Sequence, residues 1–148
     1  MPNLPASAGL LVLRVAVGVI AIAHGWQKIW TNGIEGTTQG FAGMGVPLPQ
    51  LAAPLVAWTE VVGGALLIVG LAARLAGAAI GVAMLVAMLL VHLPGGFFAA
   101  EGGIEFTLLL TAASFAIALT GSGALSVDAL FSRARVARRD RRLEASPA

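Results

Sequence analysis

Four long apolar stretches, each with very few charged side chains, constrain the fold of this chain more than any other feature. A helix that crosses a bilayer needs about 20 mostly apolar residues. Only 11% of the 148 residues are charged, against about 25% in a typical soluble domain. Because the stretches are continuous and do not alternate as barrel strands do, they predict an all-α membrane protein, a bundle of four transmembrane helices. The predicted spans are 9–30, 51–72, 75–93 and 103–120.

The connections between these spans are short and contain many turn-forming residues. Residues 31–50 are rich in glycine and threonine and are interpreted as a loop, whereas Arg74 lies in a very short second turn. Proline and two glycines at 94–96 end the third span. We therefore divide the chain into a four-helix transmembrane domain, residues 1–131, and a basic tail, residues 132–148.

Positive charge predicts the orientation of the spans, because lysine and arginine are enriched in cytoplasmic flanks. With four spans, Arg74 and the basic tail lie on the same side, so both termini are expected in the cytoplasm. The tail is expected to contact anionic lipid headgroups. It is not expected to bind nucleic acid, because no recognition fold accompanies its arginines. The tail arginines are Arg133, Arg135, Arg138, Arg139, Arg141 and Arg142.

The chain contains no cysteine and no tyrosine. The lack of cysteine excludes disulfides, thiolate metal sites, cysteine nucleophiles and dithiol redox pairs. The lack of tyrosine excludes a tyrosyl radical. Any electrons that the protein handles must therefore reside on a bound cofactor or on a partner protein.

A small set of ionisable side chains lies inside the predicted spans. Such groups are costly in a membrane and usually face the interior of the bundle. At 100° per residue, Arg14 and Lys28 share one face of the first span with Gly18, and Glu60 shares a face with Gly64. Small residues let membrane helices approach closely, so these faces predict a common polar interior. The candidate residues of this polar intramembrane site are His24, Lys28, Glu60, His92 and Glu105.

The depths of these residues predict a site that opens toward the outer surface. Glu60 is expected near the middle of its span, and we expect Arg14 to reach upward and form a structural ion pair with it. The competing interpretation is that the outer residues only hydrogen-bond the loops and that Arg14 extends to the headgroups. Two histidines at similar depth suggest haem or a metal ion, but no paired ligand motif supports either, and neither is predicted.

Several motifs, in this order, resemble the DoxX family. The resemblance covers roughly residues 10–130, and the order and spacing of the motifs make it more specific than any one of them; the basic tail lies outside it. In chain order, these motifs include Leu13-Arg14, His24-Gly25-Trp26-Gln27-Lys28, Gly45-Val46-Pro47, Glu60-Val61-Val62-Gly63-Gly64, His92-Leu93-Pro94-Gly95-Gly96, Gly102-Gly103-Ile104-Glu105 and Ser126-Val127-Asp128.

The resemblance implies a four-helix, multi-pass protein of the bacterial inner membrane. It also implies a component of an oxidoreductase system, at most part of an enzyme, with a quinone as the suggested cofactor. Two alternatives stay open: a membrane anchor or scaffold without chemistry of its own, and a pathway for a small molecule or protons formed by an oligomer. The expected partners are the lipid bilayer and either another protein or further copies of this chain.

Overall fold

The computed structural model describes the backbone of residues 4–144 and the side chains of residues 4–136 and 138. Within these residues all regular structure is helical, and no strand occurs. π-Helical turns extend two of the helices, α1 through Gln27–Thr31 and α4 through Met88–His92. The α-helices are α1 (Leu4–Trp26), α2 (Gly33–Gly43), α3 (Pro49–Val69), α4 (Ala73–Ala87), α5 (Glu105–Thr120) and α6 (Val127–Glu144).

Three helical segments are long and apolar enough to cross a membrane: Leu4–Thr31, Pro49–Val69 and Ala73–Gly95. These segments confirm the predicted helical class and the first three apolar spans. Helix α5 is also apolar but has only 16 residues. At 1.5 Å per residue it covers about 24 Å, less than the roughly 30 Å hydrocarbon core. A crossing by α5 therefore stays a prediction.

The bundle is built from two closely packed helix pairs, α1 with α3 and α4 with α5. Glycine residues allow α1 and α3 to approach closely. A Cβ atom added at Gly18 would lie 2.6 Å from the carbonyl oxygen of Gly64, and the reverse substitution would meet Gly18 at the same distance. The second pair also depends on a glycine, because a Cβ at Gly77 would lie 2.8 Å from the Ser114 carbonyl oxygen. The stripes of small residues read from the sequence are therefore helix contacts.

Two connections differ from their sequence-based interpretation. The segment interpreted as a loop contains helix α2, whose more buried side chains recur at helical spacing at Ile34, Thr37, Thr38 and Phe41. This periodicity allows α2 to pack on α3 in spite of its glycines. Helix α6 begins at Val127 and runs without a break across residue 131, where we placed the domain boundary. The division into domains stays a prediction.

Candidate functional site

Glu60 is a buried acidic residue in the middle of an apolar helix. It lies at the centre of α3, and only 1% of its surface is exposed. A carboxylate in such surroundings must be paired or must lose its charge, because burial without a partner costs several kcal/mol. The structure supplies the partner from α1.

Lys28 is that partner, and it lies in the π-helical turn that follows α1. Its Nζ atom donates to Glu60 Oε2 at 2.7 Å and to Oε1 at 3.0 Å. A longer bond of 3.4 Å joins Nζ to the carbonyl oxygen of His24. The lysine side chain is 18% exposed, whereas that of Glu60 is 2% exposed. The ion pair therefore has one deeply buried partner and one partner that a molecule outside the helix pair can reach.

The predicted ion pair between Arg14 and Glu60 is wrong. Arg14 instead donates to the carbonyl oxygens of Leu67, at 3.0 Å from Nη1, and Leu125, at 2.7 Å from Nη2. Both acceptors lie at the opposite end of the bundle from Lys28. Arg14 is completely buried there, so it does not extend to the headgroups either.

The register of α1 against α3 explains why lysine, and not arginine, reaches Glu60. Gly18 contacts Gly64, and Gly25 lies against the Ala57 carbonyl oxygen, so Glu60 is at a depth between these two contacts. By helix rise, Lys28 is roughly 9 Å from that depth and Arg14 roughly 12 Å. At its own depth, where α3 ends, Arg14 finds a carbonyl oxygen with capacity for a second hydrogen bond, that of Leu67, and its guanidinium is satisfied there without extending toward Glu60.

The π-helical turn that carries Lys28 is held by a residue that the sequence analysis did not single out. The buried Thr37 of α2 donates from Oγ1 to the carbonyl oxygen of Lys28 at 2.8 Å. π-Helical turns are rare and occur frequently at functional sites. Helix α2 is therefore a support for Lys28, and its amphipathic spacing is the signal that was available in the sequence.

The rings of His24 and Phe106 pack against each other near Lys28. The two rings have centroids 6.1 Å apart and are tilted by 46°, so His24 connects α1 with the start of α5. The His24 side chain is exposed. Because the His24 carbonyl oxygen contacts Lys28 Nζ, the two residues belong to one face of α1. Of the predicted site residues, the structure thus brings together Lys28, Glu60 and His24.

His92 and Glu105 have a different local role. His92 Nδ1 lies 3.0 Å from the carbonyl oxygen of Gly102, and Glu105 Oε2 accepts a hydrogen bond of 3.0 Å from the Ala99 amide. Both contacts are with the connection between α4 and α5. In the part of the chain that the structure describes, neither residue hydrogen-bonds Lys28 or Glu60. These two residues hold a loop at the same end of the bundle as the ion pair.

The described residues contain no group of three or more His, Cys, Asp or Glu side chains arranged to hold a metal ion. The chemistry available at the site is that of an ammonium donor, a carboxylate acceptor and a neighbouring imidazole. Such a set can donate a hydrogen bond to a ligand oxygen and can accept or release a proton.

The DoxX family model matches residues 9–93 of the chain. The chain belongs to the DoxX family. The match includes Lys28, Glu60 and His92, and it ends before Glu105. No solved structure shows a significant match, so the comparisons supply no experimental geometry for the site of this DoxX protein.

Curated relatives of the DoxX protein come from two bacteria. "Putative oxidoreductase CatD" of Bacillus subtilis is 39% identical over 120 residues, which cover 81% of this chain and 84% of that protein. "Inner membrane protein YqjF" of Escherichia coli is 32% identical over 127 residues, 84% of this chain and 93% of that protein. "Inner membrane protein YphA" of E. coli is 38% identical over 65 residues, 44% and 45% of the two chains. Together with the apolar helices, these relatives show a multi-pass protein of the inner membrane.

Proposed function

We propose that this DoxX protein is a membrane subunit of an oxidoreductase system and that the Lys28–Glu60 pair binds a lipid-soluble electron carrier of the quinone class. The observation that carries the proposal is the asymmetry of the ion pair, with Glu60 buried and Lys28 partly exposed. The name of the B. subtilis relative supports the oxidoreductase part of the proposal. The chain has no cysteine or tyrosine, so the electron carrier has to be a bound molecule or a partner protein.

The polar groups present fit the carbonyl oxygens of a quinone. A quinone ring needs an apolar slot and a hydrogen-bond donor for a carbonyl oxygen, and bound quinones accept electrons together with protons. Lys28 Nζ is the donor that a ligand outside the α1–α3 pair can reach, while Glu60 of α3 fixes its position through two hydrogen bonds. The exposed His24 ring, next to Phe106, is placed to exchange a proton with water. The ligand would enter sideways from the bilayer.

A scaffold without chemistry is the competing function, and one observation favours it. His92 and Glu105 are both engaged with the backbone of a loop, which is a structural role. In a scaffold, the Lys28–Glu60 pair would only fix how α1 and α3 pack. Ligand binding distinguishes the two functions, because a scaffold needs no small molecule at the ion pair.

The test is the affinity of the purified protein for a short-chain ubiquinone and a short-chain menaquinone in detergent. Loss of a charge-assisted hydrogen bond weakens binding about tenfold or more, so we expect that weakening for Lys28→Met and Glu60→Gln. Glu35→Gln changes an exposed carboxylate of α2 and is expected to bind as the parent does. If the parent binds neither quinone, or if all variants bind equally, the scaffold is the better description.

We further propose that the chain crosses the membrane four times with both termini in the cytoplasm. The support is the arginine-rich C-terminal helix and Arg74 on the same side of the bundle. Because the chain has no cysteine, single cysteines can be labelled in cells with a membrane-impermeant maleimide. Asn32→Cys should be labelled and Ser146→Cys protected. The opposite pattern would invert the topology, and labelling of both would remove the crossing by α5.

A further inference from the structure

A second polar site lies at the opposite end of the bundle from the Lys28–Glu60 pair. There the start of α4, the end of α5 and the start of α6 surround a cleft of about 470 Å³. The two charged residues that line it are Arg74 and Asp128, and three hydroxyl-bearing residues, Thr120, Ser122 and Ser132, line it as well. The quinone proposal uses none of these residues.

The two charged groups of the cleft have separate neighbours. Arg74 lies against Gly121, whose missing side chain makes room for the guanidinium: a Cβ there would be 3.1 Å from Arg74 Nε. Asp128 accepts hydrogen bonds from the amides of Ala72, at 2.9 Å, and Ala73, at 3.3 Å. In the described part of the chain no salt bridge joins Arg74 to Asp128. The cleft therefore presents one positive and one negative group side by side, each with unused hydrogen-bonding capacity.

The walls next to the cleft are apolar. Leu75, which lines it, is 73% exposed, and Leu119, next to the lining residue Thr120, is 78% exposed. These leucines lie at the ends of apolar helices, and the polar groups lie just beyond them. A ligand that fits this arrangement has a charged head and a hydrocarbon tail.

We infer that this cleft binds the headgroup of a phospholipid that carries both a phosphate and a primary ammonium, as in phosphatidylethanolamine. Arg74 pairs with the phosphate, since guanidinium groups bind phosphate oxygens with two parallel hydrogen bonds. Asp128 accepts from the ammonium through oxygen lone pairs that the two amides leave free. The acyl chains extend along Leu75 and Leu119 into the bilayer. An anionic lipid without an ammonium group would satisfy Arg74 but would meet Asp128 with no donor.

The proposal is tested by native mass spectrometry of the full chain in detergent micelles that contain equal fractions of phosphatidylethanolamine, phosphatidylglycerol and phosphatidylcholine. We expect the parent to retain phosphatidylethanolamine in preference to the other two. Arg74→Gln should reduce its retention about tenfold, the effect of losing a charged phosphate contact. Arg135→Gln removes an equally exposed arginine of α6 that lies outside the cleft, and should leave retention unchanged.

Asp128→Asn tests the ammonium contact, because it should abolish the preference for phosphatidylethanolamine over phosphatidylglycerol. Melting temperatures recorded in parallel identify any variant that loses lipid by unfolding, and Arg74→Gln, at an exposed position, then decides the question alone. Soluble phosphoethanolamine should not displace the lipid, since it lacks the acyl chains. Equal retention of all three lipids by the parent, equal effects of Arg74→Gln and Arg135→Gln, or displacement by phosphoethanolamine would each overturn the inference.

Discussion

Arg14 and Glu60 are both almost completely buried among apolar helices, yet the structure stabilises their charges with different kinds of partner. Arg14 donates to two backbone carbonyl oxygens, those of Leu67 and Leu125. Glu60 accepts two hydrogen bonds from one flexible and partly exposed side chain, Lys28. The Arg14 site lies where α3 ends, and the Lys28–Glu60 pair lies farther along the contact between α1 and α3, beyond the Gly18–Gly64 crossing.

The partners of Arg14 make it a structural residue. The Leu67 carbonyl lies in the last turn of α3, where the helix dipole is negative and carbonyl groups lack the usual amide donor four residues on; its backbone donor is the capping Gly70 amide, at 3.2 Å. The Leu125 carbonyl lies in the segment before α6, so one guanidinium connects α1, α3 and that segment. Gly70 leaves the space, because a Cβ atom there would collide with Arg14. Backbone carbonyls cannot change their charge or leave the site.

The partner of Glu60, the Lys28 side chain, can leave the site. A lysine side chain has several rotatable bonds, and its ammonium group can exchange the carboxylate for a ligand oxygen or for water. The turn that carries Lys28 is π-helical and is supported by Thr37. We conclude that a buried charge indicates function more strongly when its partner is mobile and accessible than when its partner is the backbone.

The largest effect on stability is expected at the Arg14 end. Arg14→Met keeps an unbranched apolar stem, although a shorter one, and loses both charged hydrogen bonds, to the carbonyl oxygens of Leu67 and Leu125. Hydrogen bonds to charged groups contribute about 1.5–3 kcal/mol each, and removal of the buried charge offsets part of the loss. We expect the free energy of unfolding to fall by about 2–4 kcal/mol, measured by denaturant titration in detergent.

Arg135→Met is the matched control for this prediction, because the Arg135 side chain is exposed on α6. This variant should have the same free energy of unfolding as the parent. If the two arginine variants have equal stability, Arg14 is not the structural residue of the comparison. Quinone affinity measured on Arg14→Met at a temperature where it is folded should equal that of the parent.

The helix faces could be predicted from the sequence, but the partner of each charge could not. The stripe of Gly18 and Lys28 and the face shared by Glu60 and Gly64 follow from helical periodicity, and the structure packs these faces together. The pairing of Arg14 with Glu60 failed because depth along a helix does not give the register between two helices. That register depends on which small residues interlock.

Backbone acceptors were the other missing information. The Leu67 carbonyl that Arg14 binds has no amide donor four residues on, because α3 ends at Gly70, whose φ of 71° is a conformation that glycine adopts readily; within the backbone it accepts from the Gly70 amide, at 3.2 Å. The sequence shows the glycine but not that an arginine 53 residues away would use the carbonyl. Helix α2 was missed for a related reason, since its glycines resemble a loop and its support of Lys28 through Thr37 is a side-chain to backbone contact.

The smaller effect is expected at the Glu60 end, and a double-mutant cycle measures it. Glu60→Gln leaves the Lys28 ammonium without its counter-ion, but that group is partly exposed and lies near the end of its apolar segment, so it can extend toward the membrane interface. We therefore expect the free energy of unfolding to fall by about 1–2 kcal/mol, less than the 3–5 kcal/mol typical of a fully buried pair. Lys28→Met should cost at least as much, since it leaves the more buried carboxylate unpaired.

The double variant Lys28→Met with Glu60→Gln then separates stability from function. With neither charge left in the membrane, it should recover most of the lost stability, and the cycle should give a coupling energy of about 1–3 kcal/mol. Its quinone affinity should stay at least about tenfold below that of the parent, because the ammonium donor is absent. Recovery of stability and affinity together would show that the pair does nothing for the ligand. If the double variant is less stable than either single variant, removing both charges does not relieve the cost of removing one. The Lys28–Glu60 pair would then be as structural as Arg14, and the contrast between a mobile partner and a backbone partner would no longer hold.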